Sequence, residues 1–71
     1  MNQLYRVSFF KRLTDSTGHP VDAPQGIVEV QGDRKSRAIK KARLQFARLK
    51  DVAAWSLRAD YEKVDIVADG E

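Results

Sequence analysis

His19 is the one histidine of the chain, and it stands among Asp15, Ser16, Thr17 and Asp22. Two chemistries can be written from those residues. A Ser-His-Asp arrangement would activate a hydroxyl nucleophile, and a His/Asp set would hold a divalent metal. Both need a rigid frame with supporting hydrogen bonds behind the reacting groups. The segment TDSTGHPVDAPQ has turn chemistry instead, because Asp, Ser and Thr bond their own backbone and Gly and Pro punctuate it. These residues therefore read as a loop, with no catalytic and no metal-ligating residue assigned. Gly32-Asp33-Arg34-Lys35-Ser36 contains a Lys-Ser pair but lacks the spacing and earlier glycines of a P-loop. Without cysteine there is no disulfide framework, no thiolate metal site and no cysteine nucleophile. At 71 residues the chain has little room for a deep substrate pocket. The expectation is a non-enzymatic protein with no cofactor and no small-molecule substrate.

Anion binding is the chemistry with more support. Eight of the thirteen lysines and arginines fall between Arg34 and Lys50, a run that contains no acid after Asp33. Residues 1–32 are net neutral, 33–50 carry +7, and 51–71 carry −4. On a helix, Arg37, Lys41, Leu44 and Arg48 form one stripe, with Arg34 and Lys40 beside it. Like charges meet at 34/37, 37/40, 37/41 and 40/43, which together cost about 1–2 kcal/mol at low salt. Asp33/Arg37 and Arg48/Asp51 are the offsetting pairs. A cost of that size in a small domain points to a surface kept for a partner. The candidate anion- or partner-binding residues are Arg34, Arg37, Lys40, Lys41, Arg43 and Arg48. Gln45 is the only base-edge reader in the run, so binding to nucleic acid would be led by phosphates. Two plainer readings stand beside this one. In one the face is simply solvated, and in the other the six acids of residues 51–71 answer it across the fold or across a dimer.

These residues need elements to position them. Tyr5, Val7 and Phe9 alternate with Arg6, Ser8 and Phe10, so a strand is expected over 4–13 with its odd positions inward. Residues 14–25 read as a loop. A second strand follows over 26–31, with Val28 and Val30 inward. Asp33 is placed as N-cap of a helix over 34–50. Ile39, Ala42, Phe46 and Leu49 make its buried stripe, with Ala38 and Ala53 beside them. Trp55, Leu57, Ala59 and Tyr61 return to period 2, which gives a third strand over 55–67. Val64 and Ile66 then fall on the wrong parity, and a β-bulge near 61–63 accounts for that.

The result is one α+β domain over 1–71 of order ββαβ. The three-stranded sheet has order 2-1-3, and one amphipathic helix packs on one face. The helix between strands 2 and 3 is a crossover, so those two strands run parallel. The other face should present Leu4, Arg6, Ser8, Phe10, Ile27, Glu29, Ser56, Arg58 and Asp60. Leu4, Phe10 and Ile27 are apolar there without cover and are candidate contact residues. Phe10 near Arg6 and Arg58 suggests base stacking, but stacking platforms need two or three aromatics.

The run YRVSFFKRLTDSTGHPVDAPQG, the AIKKARLQFARLK helix and WSLRADY resemble a group of small bacterial proteins, chiefly alphaproteobacterial. The resemblance covers most of the chain and implies the ββαβ order, with no activity and no catalytic residues to transfer. The element order is also similar to small ribosomal and double-stranded-RNA-binding domains, which implies no function. The N-terminus MNQLYRVSFF has no basic n-region, long apolar run or A-x-A site, so a soluble cytoplasmic protein is expected. The leading functional expectation is a protein-interaction or self-association module, with a protein partner or homo-oligomer. The alternative is a nucleic-acid-binding accessory protein that uses the basic helix face on phosphates. No membrane partner is expected.

Overall fold

The computed structural model describes residues 3–67. Strand β1 (Gln3–Thr14) pairs antiparallel with β2 (Pro20–Gly32). Helix α1 (Lys35–Leu49) follows, then a single 3₁₀ turn (Trp55–Leu57) and β3 (Tyr61–Ile66). Strand β3 pairs antiparallel with β1, so the sheet order is β2-β1-β3 and the two outer strands run parallel. This is the α+β, ββαβ architecture expected from the patterning.

The core lies between α1 and one sheet face. Tyr5, Val7 and Phe9 of β1 meet Val28 and Val30 of β2, with Ala38, Ala42 and Phe46 above and Ala59 closing one end. Phe9 and Phe46 stack with ring centroids 4.2 Å apart, and Trp55 leans on Phe9 at 5.8 Å. The helix lies over β2 rather than over the middle of the sheet. Two glycines of β2 permit this approach. A Cβ on Gly26 would stand 3.3 Å from the Phe46 ring, and one on Gly32 would stand 3.4 Å from Ala38.

Several expected boundaries are corrected. Residues 14–25 are not a loop. The ladder continues through Arg12 opposite Asp22 to Thr14 opposite Pro20, leaving only Asp15–His19 as the turn. Because β2 is an edge strand, Pro20 and Pro24 can sit in it. The two-stranded arm runs beyond the end of β3, which stops opposite Phe10. The third strand does not begin at Trp55, since residues 55–57 form the 3₁₀ turn and Leu57 is exposed. The sheet's register shift lies at Phe9/Phe10, opposite Gln25, and not near 61–63. Strand β3 simply starts later, with Val64 and Ile66 on the helix side and Tyr61 on the open side.

The helix is also corrected in detail. Asp33 is not its N-cap. Arg34 holds that position, with extended backbone (φ −156°, ψ 159°) and no side-chain capping bond. The buried residues are Ala38, Ala42, Phe46 and Ala47, while Ile39 is half-buried. Leu49 is 73% exposed and Ala53 is exposed, since both lie past the point where Phe46 meets Gly26.

Candidate functional site

The exposed side of α1 carries the charge that the sequence marks out. Its first turn contains no acid, and its N-terminal amides receive no side-chain oxygen. Arg34, Lys35 and Arg37 therefore gather at the positive end of the helix dipole. Arg37 meets the Asp33 carboxylate at 3.4 Å, a long contact between exposed groups. Lys41 folds back so that Nζ donates to the Gln31 carbonyl at 2.9 Å, on the outer edge of β2.

Arg43 differs from its neighbours. Its Nε donates to Glu62 Oε1 at 2.6 Å, and its guanidinium lies 4.6 Å from the centre of the Trp55 ring. The Glu62 side chain is only 15% exposed, so this pair sits in a drier setting than the others. Arg43 is thus held for structure and leaves the binding stripe. Lys40, Arg43, Leu44, Ala47, Ala53, Ala54 and Trp55 line a shallow apolar depression of about 350 Å³ beside it.

Arg34, Lys40 and Arg48 make no ion pair among the described residues. The anticipated Arg48/Asp51 pair is absent there too, and Asp51 instead donates its backbone N–H to the Arg48 carbonyl. Of the acids in residues 51–67, only Glu62 answers the helix. Asp60 accepts from the Arg12 amide at 2.7 Å, and Asp65 lies across from Arg6 on the other side of the sheet. Asp69 and Glu71 lie outside the described residues. Internal neutralisation within 3–67 thus reaches one base of the six candidates, with Asp33 touching a second.

The open sheet face departs from its expected composition. Leu4, Phe10 and Ile27 do lie on it, but Ser56, Arg58 and Asp60 precede β3 and do not. Tyr61, Lys63 and Asp65 take their places. Phe10 stacks on Tyr61 with centroids 5.3 Å apart, Lys63 lies 5.4 Å from the Phe10 ring, and Arg12 lies 5.0 Å from the Tyr61 ring. The sequence reading missed Tyr61, although the parity break at Val64 carried the signal. These rings face one another and two cations, so a base would have to displace a partner to stack. Arg6 and Glu29 form an ion pair at 3.0 Å between Leu4 and the Phe10/Ile27 region, which divides the apolar residues.

The His19 cluster holds a turn. Asp15 Oδ1 accepts from the Thr17 amide at 2.9 Å, the Thr17 hydroxyl at 2.8 Å and the His19 amide at 2.8 Å. Thr17 Oγ1 also lies 2.7 Å from His19 Nδ1. These bonds hold the Asp15 carboxyl below its usual range, with the Thr17 hydroxyl the largest cause. The whole group is exposed at the arm's tip. Among the described residues no three His, Asp or Glu side chains gather as a metal site would require. Nor is any helix there long and apolar enough to cross a membrane.

The chain matches no protein-family model, no curated protein and no solved structure.

Proposed function

We propose that this protein is a small non-enzymatic interaction module whose helix face docks on the phosphates of a nucleic acid. The observation that carries the reading is the exposed basic stripe of α1, where Arg34, Lys40 and Arg48 lack an ion-pair partner among the described residues. Arg37 and Lys41 sit in the same array with loose or neutral contacts. Uncapped amides at the helix start add donors of the same sign. Each phosphate contact releases counterions, so the interaction is salt-dependent. Sequence preference is weak, because no array of base-reading side chains accompanies the charges.

Fluorescence anisotropy on labelled double- and single-stranded RNA and DNA tests this. With about four phosphate contacts, affinity should fall roughly a hundredfold between 50 and 200 mM salt. Arg37→Glu combined with Lys41→Glu should abolish binding, while Arg58→Glu, outside the helix, should weaken it only slightly. Absence of binding to all four probes at low salt would sink the reading.

Self-association or a protein partner is the second reading, and one observation favours it. The outer edge of β3 is left without the devices that guard the outer edge of β2.

A further inference from the structure

We propose that the chain pairs with a second copy of itself along β3, antiparallel and with Val64 on the two-fold axis, fusing two three-stranded sheets into one of six. This surface is separate from the basic stripe and does not depend on the nucleic-acid reading.

The ladder geometry shows which groups are free. The Val67 amide donates to the Leu4 carbonyl at 2.9 Å, in register with Tyr5 opposite Ile66. Bonded and non-bonded pairs alternate in an antiparallel ladder. Arg6/Asp65 and Ser8/Lys63 are therefore bonded pairs. The N–H and C=O groups of Glu62, Val64 and Ile66 then point away from β1, to the open edge of the sheet. An open edge invites a further strand, and proteins commonly guard against it. The β2 edge is guarded: Pro20 and Pro24 offer no N–H, the register shifts opposite Gln25, and Lys41 occupies the Gln31 carbonyl. Among the described residues β3 has no proline, no bulge and no side chain on its outward carbonyls.

The β3 sequence, YEKVDI, selects a second copy of itself. With Val64 opposite Val64, Glu62 lies opposite Ile66 of the second copy and Ile66 opposite its Glu62. Every outward group of these three residues is then used. The same register places Lys63 against Asp65 of the second copy, and Asp65 against its Lys63. Moving the axis to Lys63 or to Asp65 sets like charges face to face and leaves an outward residue unpaired, which is unfavourable. The contact is isologous, as a closed dimer requires.

The helix side of the joint is open as well. Because α1 lies over β2, it reaches β3 through the Arg43–Glu62 bond and leaves the far end of the strand open, with Val64 half-buried and Ile66 61% exposed. A two-fold axis perpendicular to the sheet puts both helices on one side, apart from each other, with Val64 and Ile66 of both copies between them.

Sedimentation equilibrium of the full chain without nucleic acid, from about 10 μM to about 1 mM, tests the proposal. A monomer–dimer equilibrium is expected. Asp65→Lys and Lys63→Asp should each raise the dissociation constant about tenfold, and the double swap should return it to within about threefold. Circular dichroism of each variant separates loss of pairing from loss of fold. Amide exchange gives a second readout: Glu62, Val64 and Ile66 should gain protection as concentration rises. A monomer throughout overturns the proposal. So does a dimer that ignores the single swaps, a double swap that fails to restore pairing, or edge amides whose exchange is independent of concentration.

Discussion

Asp15 supports one turn with a single carboxylate oxygen, and that use fixes a pH dependence. Its acceptor bonds to Thr17 and His19 lower its folded pKa. The folded state therefore binds the Asp15 proton less readily than the unfolded chain does. The resulting stability is present above the ordinary carboxylate range and disappears as pH falls through the folded value. Asp15→Asn should be less stable than the parent in urea unfolding at neutral pH, and the two curves should converge in acid. A gap that stays constant with pH would mean that the turn bonds are not the source. The Arg43–Glu62 pair makes a different residue-level case, because Glu62 is largely shielded and Arg43 also covers Trp55. Glu62→Ala removes a charge-assisted bond and should cost about 1–3 kcal/mol. Trp55 is the only tryptophan, so its fluorescence should report the loosened Arg43 directly.

Helix α1 ends without glycine, and the cost of that ending is visible in its backbone. Asp51 takes φ 55°, in the left-handed region, while its amide donates to Arg48 O at 3.1 Å and that of Val52 to Ala47 O at 3.0 Å. This is the Schellman pattern with an aspartate where glycine is preferred. The acid also faces the negative end of the helix dipole. Asp51→Gly should therefore stabilise the fold by about 1 kcal/mol, a rise in Tm of roughly 4–8 °C for a domain this small. The elements themselves show how far residue pattern reaches. Alternation at Tyr5, Val7 and Phe9 and the helical recurrence of Ala42 and Phe46 were legible because burial repeats with the backbone period, whereas Ile39 and Leu49 of the expected stripe are half-buried and exposed, with Ala38 and Ala47 buried in their stead. The arm was not, since Pro20, Pro24, Gly18 and Asp22 have loop-like composition although the backbone at both prolines is edge strand. Trp55 to Ala59 alternate by chance, and the 3₁₀ turn overrides that alternation. The basic stripe could be counted directly. Which of its bases would be neutralised could not, because Arg43 and Glu62 meet only through the crossover that brings β3 beside β1.

At the scale of the whole molecule, the shape follows from the unequal lengths of three strands. Strands β1 and β2 continue past the end of β3, so the body carries a two-stranded arm and the principal extents are 46 × 29 × 16 Å. The buried cluster contains no residue between Lys11 and Ala23. Leu13 and Val21, which face each other on the arm, are 45% and 44% exposed. The arm thus adds surface without adding core, and a hairpin without a covering layer contributes little stability of its own. The Arg12 amide bond to Asp60 and the Arg12 contact with Tyr61 are its ties to the body. Replacing residues 14–20 with Asn-Gly would join Leu13 to Val21, directly opposed partners in a hydrogen-bonded pair of the ladder, through a two-residue turn of the type that suits strand twist. Both ties to the body survive that change. The shortened chain should fold cooperatively, with a Tm within a few degrees of the parent and unaltered Trp55 fluorescence. Loss of cooperative unfolding would instead place part of the fold's stability in the arm.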